Sequence, residues 1–167
     1  MVNVLFCKGK SWTANIIASI DDTDVSHVAL SSWKLMDRNL ILHSTGKGVN
    51  LTTKKAFLKK YDIKRIYEIP VNDEFSESYI LWKLIEENEG KPYDYLALVY
   101  LGLFLLGKKL GFGLPLENRW QNKNHYICTE FASLAIMGNT DSMASLKTLE
   151  KYILEKFAQN DSRLSFF

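Results

Sequence analysis

Cysteine is almost missing from this chain. Its two cysteines, Cys7 and Cys128, lie far apart and neither belongs to a Cys-x-x-Cys pair, so no disulfide framework, zinc ribbon or dithiol redox motif is expected. A bilayer-spanning run is missing too. The longest apolar stretch, Tyr95 to Leu106, is bracketed by Asp94 and Lys108 and falls short of the roughly 18–20 residues a spanning helix needs. It reads as a buried helix. A net charge of +2 at pH 7 is too small to argue for nucleic acid. The one basic segment, Lys54, Lys55, Lys59, Lys60, Lys64 and Arg65, reads as a solvated face, with contact to an anionic surface as its alternative. Met1 to Lys8 lacks the basic start, long apolar middle and cleavage site of a secretory signal, so a cytoplasmic protein without a signal peptide is expected. No repeat, low-complexity tract or linker divides the chain. At 167 residues and 47% hydrophobic content, one domain over residues 1–167 with a full core is expected.

The pattern along the chain is that of an α+β domain with a central antiparallel sheet packed against helices. Val2 to Phe6 alternates like a short strand, and Ser11-Trp12-Thr13 opens a helix over Ala14 to Ile20. Strands are predicted at Ser26–Leu30 and Asn39–Ser44, then a Gly46-Lys47-Gly48 turn into Val49–Leu51. Thr53 can cap a lysine-rich helix to Tyr61, and Ile63 to Pro70 reads as another strand. From Ser76 the period becomes helical, with Tyr79, Ile80, Leu81, Leu84 and Ile85 spaced for burial until Gly90 and Pro92. Tyr93 to Gly107 reads as the apolar helix, Gly111 to His125 as a loop, and Thr129 to Met137 as a helix closed by Gly138. A final amphipathic helix is predicted from Ser142 to Phe157.

Cys128 immediately precedes a predicted helix, where unsatisfied backbone amides and the positive end of the helix dipole favour a thiolate. The plainer reading is a small buried apolar residue beside Phe131, Ala132 and Ala135. His27 lies inside a predicted strand and His43 on the next one, an even number of residues away. A hairpin centred near Leu35 would set the two directly opposite each other, close enough for ring-to-ring hydrogen bonding. Cysteine, base and orienter are then all present. Cys7 reads as a core thiol and His125 as a loop residue. A zinc site from Cys128, His27, His43 and His125 is the competing chemistry, but it lacks closely spaced ligand pairs.

These segments resemble the permuted branch of the NlpC-type cysteine peptidases, the YiiX/YebB-like proteins, with the lecithin:retinol acyltransferases as distant relatives. Val4 to Lys10 resembles the family's opening strand and glycine turn. Ser26-His27-Val28-Ala29-Leu30 resembles its serine-histidine-valine strand, and Leu42 to Val49 its next strand. Tyr126-Ile127-Cys128-Thr129-Glu130-Phe131 resembles the run that carries the nucleophile, and Gly90 to Tyr95 the glycine-x-proline-tyrosine segment before it. Thr129 stands where serine is usual and His43 where many relatives have glutamate, while the last 30 residues match nothing in the family.

The resemblance implies a circularly permuted papain-like fold in which Cys128 is nucleophile, His27 base and His43 orienter, with Tyr93 and Tyr126 at the substrate. No cofactor and no metal are expected. The activity it implies is hydrolysis of an amide, as in cell-wall peptides, through a thiolate acyl-enzyme, so the partner is a peptide or acyl-bearing substrate. The alternatives are an acyltransferase or deacylase on lipid or lipid-linked substrates, for which the apolar helix and Phe166-Phe167 speak and which would bring a peripheral membrane contact, and an inactive binding module of the same fold.

Overall fold

The structure is a computed structural model that describes residues 1–32, 39–70, 77–113, 115, 120–122, 124–141 and 143–157, with the backbone alone for 77–80. Leu35, Ser76, Ser142, Phe166 and Phe167, and part of the Gly111–His125 loop, lie outside the described residues, as do the side chains of Tyr79 and Ile80.

The elements follow in the order β1 (Val2–Gly9), α1 (Trp12–Asp21), β2 (His27–Ser32), β3 (Leu40–Thr45), β4 (Gly48–Thr53), α2 (Lys54–Lys60), β5 (Tyr61–Ile69), α3 (Glu77–Asn88), α4 (Tyr95–Leu110), α5 (Cys128–Met137) and α6 (Leu146–Phe157). The strands form one antiparallel sheet in the order β4-β3-β2-β1-β5. The expected α+β class holds at that level. Among the described residues no helix is long and apolar enough to cross a membrane.

The sheet is covered on both faces, so its inner strands are buried throughout rather than alternating with solvent. Val4, Phe6, Val28, Leu30 and Leu42 face the main core, which Leu84 and Ile85 of α3, Phe131 of α5 and Leu149 and Ile153 of α6 complete. Leu5, Cys7, Ala29 and Ile41 face a smaller core closed by Phe57 of α2. Each fully buried side chain of this size stabilises the fold by roughly 1.5–3 kcal/mol. Truncating Phe131, 1% exposed, to alanine would cost about 3–5 kcal/mol once the cavity it leaves is included.

Helix ends follow local chemistry. The Ser11, Thr53 and Asp94 side chains accept from the amides of Ala14, Ala56 and Ala97, and Gly111 and Gly138 close α4 and α5 in the left-handed region. The Asp94 cap explains why α4 starts at Tyr95 instead of Tyr93. Ser145 and Thr148 exchange hydrogen bonds at the start of α6, which begins later than the spacing predicts. A bulge in β5 has the largest local consequence. Phe6 pairs with Arg65 but Cys7 with Ile63, so Lys64 is an extra residue and the strand's side chains exchange faces there. Ile63 and Tyr61 thereby join Cys7 and Phe57 in the smaller core.

Candidate active site

Cys128 is the first residue of α5. Its N-cap, Ile127, has no side-chain acceptor, but Glu130 Oε2 accepts the Ile127 N–H at 2.9 Å, making one half of a capping box. Gln121 Nε2 donates to the other carboxylate oxygen at 2.9 Å. Glu130 is fully buried, and that burial, with Asp94 nearby, raises its carboxyl to about 7.

The Cys128 sulfur, also buried, lies near the backbone N–H groups of Val28, Thr129 and Cys128 itself. The sulfur therefore lies by the peptide that joins His27 to Val28, but among the described residues no hydrogen bond joins it to the His27 ring: Cys128 packs in the main core with Val28, whereas His27 stands opposite Cys7 on the face of the smaller core. The three amides favour the thiolate, but loss of solvent outweighs them and the Glu130 charge adds to it, so the thiol is pushed up to about 11. Burial thus opposes the thiolate that the helix N-terminus was expected to favour. Ser44, beside His43, donates to the Tyr126 carbonyl at 2.6 Å, and Tyr126 N donates to Pro92 O at 3.1 Å. The first bond ties the start of α5 to β3 and the second ties it to the segment before α4.

His27 and His43 are brought together. His27 Nε2 and His43 Nδ1 lie 3.0 Å apart, with the rings edge to face and both residues buried. The register differs from the one the sequence suggested. Leu30 pairs with Leu42, which sets Ala29 opposite His43 and leaves His27 one diagonal away. The rings still meet because diagonal neighbours are within reach of long side chains. Tyr61 stacks on the His27 ring at 4.5 Å and Phe57 closes over His43 at 5.3 Å.

The proton positions follow from counting donors. Asn50, opposite His43 on β4, spends its amide N–H groups on Thr45 Oγ1 at 3.2 Å and Gly48 O at 2.7 Å. Its remaining group, the Oδ1 acceptor, is the one left to face the His43 ring and favours a proton on His43 Nε2. His43 Nδ1 is then bare and accepts from His27 Nε2–H, which leaves His27 Nδ1 as the unprotonated nitrogen. Burial lowers both imidazoles, His27 well below its usual range and His43 to about 4. Asn50 and Ser44 are the residues that sequence reasoning missed. Their only sequence signal is adjacency to the predicted β3–β4 turn.

Two cavities flank this constellation, and Tyr93 and Ser26 line both. One, of about 330 Å³, reaches Cys128, Thr129 and Ile127 from between α1 and α4; the other, of about 410 Å³, is bordered by His27, Tyr61, Ser44 and Lys60. Tyr126 lines neither. It is 7% exposed, packs on Phe131 and lies under Lys91 Nζ. Cys7 stands opposite His27 in the β1–β2 ladder, fully buried, its thiol donating to Leu5 O. His125 contacts the Asn122 side chain at 3.4 Å. Among the described residues no three His, Cys, Asp or Glu side chains gather as metal ligands.

The chain matches no protein family and no curated protein.

Proposed function

We propose that this protein is a cysteine hydrolase, with a permuted papain-like arrangement, that opens an amide through a thioester on Cys128. The observation that carries the reading is the buried His27–His43 hydrogen bond, on a strand whose Val28 amide lies near the Cys128 sulfur. Neutral thiol and neutral imidazole are the resting forms, so the proton moves only as the sulfur attacks. Cys128 Sγ bonds to the carbonyl carbon while His27 Nδ1 takes the thiol proton. The C–N bond breaks, and that proton leaves with the amine. Water then attacks the thioester as His27 removes its proton, the C–S bond breaks, and the sulfur regains a proton as the acid departs. His43 accepts from the opposite side of the His27 ring and holds its orientation, and the Cys128 N–H is one donor toward the oxyanion.

The test is incubation with a panel of N-acyl amides and activated esters, with intact-protein mass spectrometry for an acyl adduct on Cys128. An adduct is expected in the wild type and lost in Cys128→Ala. His27→Ala is expected to slow its formation by about 10²–10⁴-fold, the usual worth of a positioned base. No adduct from any member of the panel would favour a binding module instead. Acyl transfer or deacylation of lipid-linked substrates shares the first half of the reaction, and the aliphatic wall of the cavity at Cys128 favours it as the second reading.

A further inference from the structure

From Tyr95 to Leu106, α4 carries no charged residue on any side, and a helix that is apolar all round is one that a folded protein covers all round. Here one side alone is covered. Ala97, Tyr100 and Leu101 are buried in the chain's own core, whereas Leu96, Val99, Leu103, Leu106 and Leu110 are between 43% and 64% exposed. At roughly 200 Å² for a whole large apolar residue, these five expose about 500 Å². Ile16 of α1, which borders the same cavity as Val99, and Phe112, just past the helix end, are exposed too and bring the patch to about 750 Å². A patch of that size on a single chain marks a binding surface, and each partner in a standard stable interface gives up about 800 Å².

The spacing of the exposed residues selects the partner. They recur at alternating intervals of three and four, the a/d seam of a coiled coil, and the seam runs roughly 21 Å from Leu96 to Leu110. A second helix fills such a seam by setting its own side chains into the holes between these residues. The seam is also nearly symmetric about Leu103, with Leu96 and Leu110 at equal distances either side and Val99 and Leu106 between. Turned end for end, α4 therefore matches itself, as the two halves of a two-fold interface must. Gly102 beside the centre has no side chain, and a Cβ built there meets nothing within 4 Å, so a second helix can approach closely. A lipid surface would impose neither the spacing nor the symmetry, and helices that lie on one carry basic residues along their polar flank. The lysines of α4, Lys108 and Lys109, are confined to its last turn, where Lys109 Nζ donates to Ser19 O.

We propose that this protein is a two-fold dimer in which α4 packs antiparallel against α4 of a second copy, with Leu103 meeting its own equivalent at the axis and Leu96 meeting the equivalent of Leu110 at each end. Val99, Leu103 and Leu106 also border the cavity that reaches Cys128, so the second copy's helix covers the outer side of that cavity. The inference stands on the surface alone and holds whatever the chemistry of Cys128.

Sedimentation velocity on the full-length protein is the test. Interfaces of this size dissociate in the micromolar range or below, so a dimer is expected at about 10 μM. Leu103→Lys sets two like charges together at the axis and should weaken association by at least about a hundredfold. Its circular dichroism spectrum should match that of the wild type, because Leu103 is exposed in the single chain. Cysteine crosslinking with copper phenanthroline reads the orientation independently, since the native Cys7 and Cys128 are both buried. Leu103→Cys should form a disulfide-linked dimer. Leu96→Cys and Leu110→Cys should each link poorly alone and efficiently when the two proteins are mixed. A wild type that stays monomeric at about 100 μM, or a dimer that Leu103→Lys leaves intact, would overturn the proposal. Leu96→Cys linking to itself more readily than to Leu110→Cys would also overturn it, in favour of a parallel pair. A monomer that floats with phosphatidylcholine or phosphatidylglycerol vesicles, and loses them in Leu103→Lys, would assign the face to a membrane instead.

Discussion

The Cys128 thiol should ionise late. Burial pushes it up to about 11 despite the nearby amides, which leaves roughly 300-fold less thiolate at neutral pH than a free cysteine of about 8.5 has. Iodoacetamide labelling of the full-length folded protein between pH 7 and 11, with the site located by peptide mapping, measures this directly. The midpoint of the pH profile is the quantity to read, because slow labelling alone could reflect restricted access to a 7%-exposed side chain. A midpoint well above the free-cysteine value of about 8.5 is expected. Cys128 should label before Cys7, which burial raises further still. Glu130→Gln removes the charge that helps push the thiol up but keeps an oxygen for the Ile127 N–H, so it should lower the midpoint without unfolding the protein. A wild-type midpoint below about 8.5 would mean a thiolate paired with a charged His27, and would refute the argument that burial outweighs the helix amides.

Stability should fall in acid through the histidine pair. His43 is held at about 4 in the fold against about 6.5 in an unfolded chain. Between those values the unfolded state binds the extra proton and stability is lost as pH falls, by about 3 kcal/mol at the bottom of the window. His27 is lowered as well and acts in the same direction, while Glu130, raised to about 7, acts oppositely by losing stability as pH rises from about 4.5. Urea denaturation of wild type and His43→Gln from pH 7 to 4 should therefore show the stability difference between them changing in favour of the variant as pH falls; parallel curves would contradict the burial assigned to His43. Gly48→Ala should destabilise by about 1–3 kcal/mol, since φ is +91° and a Cβ would strike the Lys91 carbonyl; an unchanged melting temperature would contradict the close approach of the β3–β4 turn to that segment. Asn50→Leu and His43→Gln should each slow acylation of Cys128 less than His27→Ala does, because they disturb the position of the base and not its presence. If Asn50→Leu has no effect on the rate or its pH profile, the donor count that sets the tautomers is wrong.

Much of this architecture was legible in the residues. The alternation at Val2–Phe6, the caps at Ser11 and Thr53, the Gly46-Lys47 turn and the stop at Gly138 are local effects, decided within a few residues by dihedral preference and amide hydrogen bonding. They put His27 and His43 on neighbouring strands and Cys128 at the start of a helix. What the residues could not specify depends on contacts across the sheet. The β2–β3 register, set by Leu30 against Leu42, made the histidines diagonal where a direct pair was expected. The Lys64 bulge turned Tyr61 toward His27, on a face that uninterrupted alternation would have denied it. Asn50 acquired its place in the proton run only through the β3–β4 pairing. The thiol went up instead of down because packing around Cys128 excluded water more completely than its helix could compensate. Local sequence determined which elements form and where they stop, since those are short-range backbone equilibria. Tertiary packing decided which side chains meet and how they titrate, because register and desolvation are properties of the assembled core.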